Sequence, residues 1–507
     1  MPRLYRSIRF FILLIMLIYI ANFLPKIVVQ FQSLPYPGKI TMILSLFLVI
    51  FLMGIFLLAI KIRHTKITTK KYWCIVFGIT GIAFVWQLFL IHEVALDIEG
   101  WDPWTIFKWI TGNGDVYPNY FSYNPNNMIT MYMYQLTNTI EALFGRQLSW
   151  LALDRMNMIV ILISSLLFAY IAKNLLSSIA ALFSVGLFSI YFTFSPLSVI
   201  PYSDTLSLLP ALLTIVLLLL AKHYQSQKTF CALLVVVAGF TASISYYTKA
   251  SSVIFFIAFL IASGINMIKT NRFNIFKVEL LGYLVFGLLA GFYGMRKINQ
   301  IQTIVTYEST LATPMTHYLA IGASEKGWWN QPDQDFTRSF DSYSERSRRN
   351  LDKFVQRVND RGLDRYVDFL KYKNAITFND GTLGWYEEGG GKVVNDVPSK
   401  TNSEKNNLRK FLYGQGSKTA VTKWLSQVMW LVLWIIVTCS VINFFRKQTS
   451  SLSTDWLALT VLGGFIFLSL FESGRGRYVI QFLPYYFLLA GFLLNDFKNK
   501  TKKHTQK

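Results

Sequence analysis

Long apolar runs alternate along this chain with shorter polar stretches rich in Lys and Arg. A helix needs about 20 mostly apolar residues to cross a bilayer. Twelve runs meet that requirement: 8–24, 41–61, 73–92, 153–172, 176–195, 203–221, 229–247, 250–268, 278–295, 424–445, 456–472 and 478–494. Each is predicted to be a transmembrane helix, the element that satisfies its own backbone hydrogen bonds in lipid. The first follows Arg3, Arg6 and Arg9 like a signal peptide, but no small-residue cleavage site follows Ala21-Asn22-Phe23-Leu24-Pro25, which marks an uncleaved anchor. The pattern therefore predicts an all-α polytopic membrane protein.

Position of the basic residues orients these spans. Clusters occur at the N-terminus, at Lys61/Arg63/Lys66/Lys70/Lys71, at Lys173, at Lys222/Lys228, at Lys269/Arg272/Lys277, at Arg446/Lys447 and in the tail from Lys498. Cytoplasmic loops collect Lys and Arg, and all of these alternate onto one side only if 126–145 does not cross. That stretch (NNMITMYMYQLTNTIEALFG) carries Asn, Gln, Thr and Glu, which suits a helix lying in the membrane surface. Both termini are then cytoplasmic. The predicted organisation is two N-terminal spans (1–72), a transmembrane core (73–295) with an external loop 93–152, an extracytoplasmic polar insertion (296–423), and C-terminal spans with a basic tail (424–507).

Composition agrees. The 507 residues are 53% apolar and only 15% charged, with a net charge of +22, whereas soluble domains are about 25% charged. Basic residues set among apolar runs argue against nucleic-acid binding, which places them on a polar surface. Cys74, Cys231 and Cys439 all lie in apolar runs, which excludes a disulfide framework or zinc site. Walker, HExxH, CxxC and GxSxG motifs are absent, and Gly389-Gly390-Gly391 lacks the context of a phosphate loop.

Candidate chemistry gathers in the external segments. The first loop offers Glu93, Asp97, Glu99, Asp102 and Asp115 among Trp and Tyr. Such carboxylates suit a general base or metal ligand, although aromatics enrich every membrane interface. Asp204, at the mouth of a span, is either a helix cap or a functional acid. Lys249 lies between two spans on the side that the positive-inside rule leaves poor in Lys; it either snorkels or meets an anion such as a phosphate. Arg475 and Arg477 sit in a short glycine-containing external turn, and their guanidinium forks suit phosphate. His317 in the insertion is structural or binds substrate, and 333–373 reads as one or two amphipathic helices with solvated charged faces.

In order along the chain stand Asp102; Tyr120-Phe121-Ser122-Tyr123-Asn124-Pro125-Asn126-Asn127; Leu143-Phe144-Gly145; Asp154-Arg155; Tyr202-Ser203-Asp204-Thr205; Lys249-Ala250; Pro314-Met315-Thr316-His317-Tyr318; and Arg477-Tyr478-Val479 with Pro484. This layout resembles the GT-C glycosyltransferases, multi-spanning enzymes that use polyprenyl-phosphate sugars and include protein O-mannosyltransferases and the aminoarabinose transferases of lipid A. It is more closely similar to an integral membrane subfamily of low-GC Gram-positive bacteria related to GPI-type mannosyltransferases. The departures are Asn124 for Tyr, Ala250 for Pro and Tyr318 for Trp. The likeness covers about 73–495 and leaves out the two N-terminal spans.

The resemblance implies a GT-C fold in a bacterial plasma membrane with an extracytoplasmic active site. Asp102 would be the general base, with Asp97 and Asp115 in reserve, and Asp204 a second acid holding a divalent cation such as Mg or Mn. Lys249, Arg475 and Arg477 would bind the donor phosphate. Tyr120, Tyr123, Asn126, Asn127 and His317 would line the acceptor side. The implied reaction moves a monosaccharide, with inversion, from undecaprenyl phosphate to a cell-wall glycopolymer, teichoic acid or surface protein. A lipid-carrier flippase, a glycan polymerase or ligase, and a non-catalytic scaffold are the rivals.

Overall fold

The computed structural model describes residues 2–95, 101–112, 118–270, 275–385, 404–447 and 451–495. Among them every regular element is a helix. Twelve helices are long and apolar enough to span a membrane: Tyr5–Ser33, Lys39–Ile62, Thr69–Val94, Trp150–Leu175, Ser178–Val199, Ser203–His223, Lys228–Thr248, Ala250–Met267, Val278–Ile301, Thr419–Arg446, Leu452–Leu470 and Gly476–Asn495. They are numbered here as spans one to twelve, and they match the twelve apolar runs one for one.

The stretch 126–145 forms a helix, Met128–Leu143, of 16 residues. At 1.5 Å per residue it measures about 24 Å, short of the roughly 30 Å of hydrocarbon. Met128, Met131 and Tyr134 are buried against the protein, while Leu136, Ile140, Leu143 and Phe144 stay exposed. One packed face and one bare apolar face is the pattern of a surface-lying helix.

Polar contacts show which loops share an end of the bundle. Asp102, from the loop after span three, meets Tyr202, which precedes span six. Asp204 meets Lys249, which joins spans seven and eight, and Arg477 at the start of span twelve. At the other end Tyr5 and Arg9 reach Asp455, Ser178 reaches the Ile67 carbonyl, and Asn495 accepts from the Ser177 amide. The loops expected outside thus gather at one end and the basic ones at the other. That alternation requires that 128–143 not cross.

Packing follows membrane rules. Spans seven and nine approach at glycines: a Cβ on Gly239 or Gly287 would overlap backbone of the opposite helix, and such small-residue contacts let helices associate where water provides no drive. The centre is aromatic. Phe23 of span one stacks on Phe378 at 4.7 Å and meets Trp434 of span ten at 4.5 Å, with Phe465 of span eleven beside them. Span one is therefore part of the core, whereas span two is only 11% buried.

The insertion contains Met315–Gly322, Gln331–Arg338, Tyr343–Arg361 and Leu363–Phe378. The charged stretch 333–373 thus falls on three helices where one or two were expected. Two of the starts are capped: Asn330 accepts from the Asp333 amide at 2.9 Å and Ser342 from the Glu345 amide at 3.1 Å. Its charges are less solvated than expected. Asp333, 2% exposed, takes both nitrogens of Arg357 and the Lys353 ammonium. Burial alone would raise the Asp333 carboxyl; those donors and Asn330 outweigh it and hold it below the usual carboxylate range.

Candidate functional site

The turn that carries Tyr202 and Asp204 begins where span five loses regular helix. A π-type turn at Ser189–Thr193 gives way to a 3₁₀ turn at Pro196–Val199, which leaves carbonyls without helical partners. Side chains of spans three and four take them up. Gln87 donates to the Thr193 and Ser195 carbonyls at 2.6 and 3.1 Å, and Trp86 to Phe194 at 3.2 Å. Asn157 donates to the carbonyls of Leu197, Ser198 and Ile200 at 2.9–3.0 Å and accepts from Thr205 at 2.8 Å. Tyr134 on the surface-lying helix donates to Pro201 at 2.8 Å. Buried backbone groups left unpaired are costly, so this set holds the turn rigid.

Asp102 lies in the first turn of Trp101–Ile110, where a carboxylate is favoured by the helix dipole. One of its oxygens accepts the Tyr120 hydroxyl and the other the Tyr202 hydroxyl. Asn127 donates to Tyr120 at 2.6 Å. Burial, and then the Asp102 charge, push both phenols well above their ordinary value, so they remain protonated donors to the carboxylate.

A second cluster abuts the first through Tyr202, whose ring lies 4.7 Å from the Arg477 guanidinium. Asp204 pairs with Lys249 on one oxygen and faces Arg477 at 3.8 Å on the other. The Lys249 ammonium sits 5.1 Å over the Tyr478 ring, and Tyr478 donates to Glu472 at 2.9 Å. A continuous polar chain therefore runs Asn127, Tyr120, Asp102, Tyr202, Arg477, Asp204, Lys249, Tyr478, Glu472. Beside it a cavity of about 30 Å³, room for a water, is lined by Leu197, Ile200, Tyr202, Asp204, Leu383 and Arg477 among others.

The turn 471–478 is docked onto the insertion. Buried Lys373 donates to the carbonyls of Gly322, at 2.9 Å, and of Phe471. Ser473 donates its amide to the Gly327 carbonyl at 3.0 Å. Gly474 has φ +82°, and a Cβ there would overlap the Trp328 indole, so only glycine fits. Burial pulls the Lys373 ammonium down to about 7, with Glu472 opposing.

Several expectations are redrawn. Asp204 is no helix cap: Tyr202 holds the N-cap position and Asp204 the first turn, with its carboxylate turned to cations. Lys249 does not snorkel, since its side chain is 14% exposed and ion-paired. Glu472 takes the Tyr478 hydroxyl. Arg475 lies apart from Asp204, its guanidinium 5.9 Å from the Trp328 ring. His317 is buried inside the insertion, with Nδ1 2.6 Å from the Thr337 hydroxyl and Nε2 facing the Gln334 amide, and burial lowers it to about 4. Both ring nitrogens are thus engaged within the insertion, away from Asp102 and Asp204 in the polar chain. Tyr123 packs under Arg338 of the insertion at 4.3 Å, and Asn126 donates to Asn127 at 3.3 Å. Asp97, Glu99 and Asp115 lie outside the described residues.

Tyr202 and Tyr318 stand in the motifs Tyr202–Thr205 and Pro314–Tyr318, but neither was expected to have a role at the site. Burial raises the Tyr318 phenol, and the charges of Glu472 and Asp102 add to the shift. The available signal was the aromatic at the end of Pro314–Tyr318. A divalent cation fits poorly at Asp204, because both of its oxygens face cations that a metal would have to displace. No cluster of three or more His, Cys, Asp or Glu able to hold a metal occurs among the described residues.

Twelve spans, a surface-lying helix, and a helical insertion docked over a half-buried chain of acids, phenols and cations define a polytopic α-helical integral membrane protein. The chain belongs to the family described as conserved hypothetical integral membrane proteins, whose family model matches residues 3–498. That match takes in the two N-terminal spans, consistent with span one packing into the core. No curated protein and no solved structure matches the chain.

Proposed function

We propose that this protein is a glycosyltransferase of GT-C type that moves a monosaccharide from a polyprenyl phosphate, undecaprenyl phosphate in bacteria, to a hydroxyl of a cell-envelope acceptor. The acceptor class is a cell-wall glycopolymer, teichoic acid or surface protein. The observation that carries the reading is the adjacency of a half-buried carboxylate, Asp102, to two half-buried cations, Lys249 and Arg477, bridged by Tyr202. Glycosyl transfer needs both at once: a base for the acceptor proton and positive charge for the leaving phosphate.

In this mechanism the acceptor hydroxyl loses its proton to Asp102 while its oxygen bonds to the anomeric carbon. The bond from that carbon to the phosphate oxygen breaks, and its electron pair leaves on the phosphate. Lys249 and Arg477 stabilise the departing charge as it develops. Attack opposite the leaving group inverts the anomeric centre. Tyr120 and Tyr202 hold Asp102 in place and leave each oxygen a further lone pair. Asp204 acts as counter-ion to the cations before the donor arrives. The positive-inside rule places this end outside a plasma membrane and both termini in the cytoplasm.

The test is an Asp102→Asn variant assayed in membranes with radiolabelled polyprenyl-phosphate sugars. Removing a general base is expected to slow transfer by about 10²–10⁴-fold. Retained transfer at full expression would sink the role of Asp102. If the wild type transfers none of a panel of sugars, the enzyme reading falls, and donor translocation without transfer would favour a carrier flippase.

A further inference from the structure

At the opposite end of the bundle from Asp102 lies a second polar pocket, of about 40 Å³, lined by Tyr5, Arg6, Arg9, Phe10, Leu13, Phe444 and Phe445. It forms where span one begins and span ten ends. Arg9 is its floor. The side chain is 9% exposed, and its Nε faces Asp455 of span eleven at 3.3 Å. The other edge of the guanidinium is left over: Nη2 is buried and has no hydrogen-bond acceptor among the described residues. Tyr5 also donates to Asp455, so that carboxylate is engaged from two sides.

A buried guanidinium edge without an acceptor is a costly arrangement unless an anion meets it. Arg6, exposed at the rim, adds a second fork, and Arg446 follows the pocket residue Phe445 in the chain. Guanidinium forks match the oxygens of phosphate as they do those of carboxylate, and of the two it is phosphate that membrane lipids carry at the depth of a span's mouth. The remaining wall is aromatic and aliphatic: Phe10 lies 4.9 Å from Phe445 and is 46% exposed. The pocket sits at the mouth of a membrane span. A phosphate entering it from the bilayer would therefore leave its hydrocarbon beside an apolar surface.

We propose that this pocket binds the phosphate of an anionic membrane lipid and ties the N-terminal span to spans ten and eleven. The proposal is independent of glycosyl transfer. Binding would be measured on the full-length purified protein by native mass spectrometry and by thermal stability, with added phosphatidylglycerol, phosphatidylcholine or inorganic phosphate. Phosphatidylglycerol is expected to bind and raise the melting temperature; phosphatidylcholine, whose phosphate carries its own cation, is expected to do neither. Arg6→Gln, at an exposed site that leaves folding intact, is expected to weaken phosphatidylglycerol at least fivefold. Asp455→Asn is expected to tighten it, because it frees the second edge of Arg9.

If Arg9 serves only to pair with Asp455, both variants will bind phosphatidylglycerol as the wild type does, and the proposal fails. Equal protection by inorganic phosphate alone would overturn a lipid source, and equal binding of both lipids would overturn charge recognition.

Discussion

Replacing Lys249 by Met tests the cation pair at its centre. The side chains of Lys249 and Asp204 are 14% and 7% exposed, so Met would leave a carboxylate buried without its closest counter-charge. Breaking a buried pair from one side costs about 3–5 kcal/mol. Arg477 stays 3.8 Å from Asp204 and recovers part of that, which puts the expected loss at about 2–3 kcal/mol. At roughly 2–4 °C per kcal/mol for large domains, the detergent-solubilised protein should melt on the order of 5 °C lower. Adding Asp204→Asn removes the stranded charge, so the double variant should regain most of the loss, and the thermodynamic cycle should return a coupling of about 2 kcal/mol. Sugar transfer should remain abolished in the single and double variants alike, because the leaving phosphate has lost a cation in both. Wild-type melting of Lys249→Met, or simple addition of the two single losses, would refute the pairing argument.

Three other outcomes are expected. Lys373 is held near 7 when folded and lies near 10.4 when unfolded, so the unfolded chain binds more protons between those values and stability rises with pH there, by at most about 1.4 kcal/mol per unit. Melting curves of Lys373→Met from pH 7 to 9 should lose that rise, and an unchanged slope would exclude Lys373 as its source. Gly474→Ala must adopt a positive φ and displace the Trp328 indole, which should cost about 1–3 kcal/mol and reduce transfer along with stability; an unaltered melting temperature would contradict the fit. In a background lacking Cys74, Cys231 and Cys439, Arg146→Cys should react with an impermeant maleimide on intact cells and Lys66→Cys should be protected. The reverse pattern would invert the orientation.

The spans were legible because the requirement that defines them is local. Hydrocarbon of fixed thickness demands about 20 apolar residues in a row, so each run could be judged without its neighbours. The parity argument for 126–145 used only loop charge, and the helix Met128–Leu143 is indeed short and one-faced. Lys249 and Arg477 also stood out, since cations at the outer ends of spans run against the positive-inside rule, whereas Asp102 was one of several acids in its loop and only the family resemblance singled it out. The roles of these residues relative to one another did not stand out. Asp204 read equally well as a cap until its carboxylate was placed against Lys249, and Tyr202 was only the first letter of a motif, with no role of its own.

Sequence by itself determined which twelve segments are long and apolar enough to cross a membrane and which charges break the positive-inside pattern. Tertiary structure decided the pairings: Asp102 with Tyr202 across 100 residues and Lys249 with Asp204 across 45. It also decided that His317 turns into the insertion's own core, and that Arg475 faces Trp328 while Arg477 faces the acid. The physical reason is range. Crossing a bilayer is a property of about 20 consecutive residues, whereas an ion pair depends on where helices far apart in the chain come to rest. In this protein those positions are set by glycine contacts, aromatic stacking and side chains such as Asn157 and Gln87 that hold a broken helix end in place.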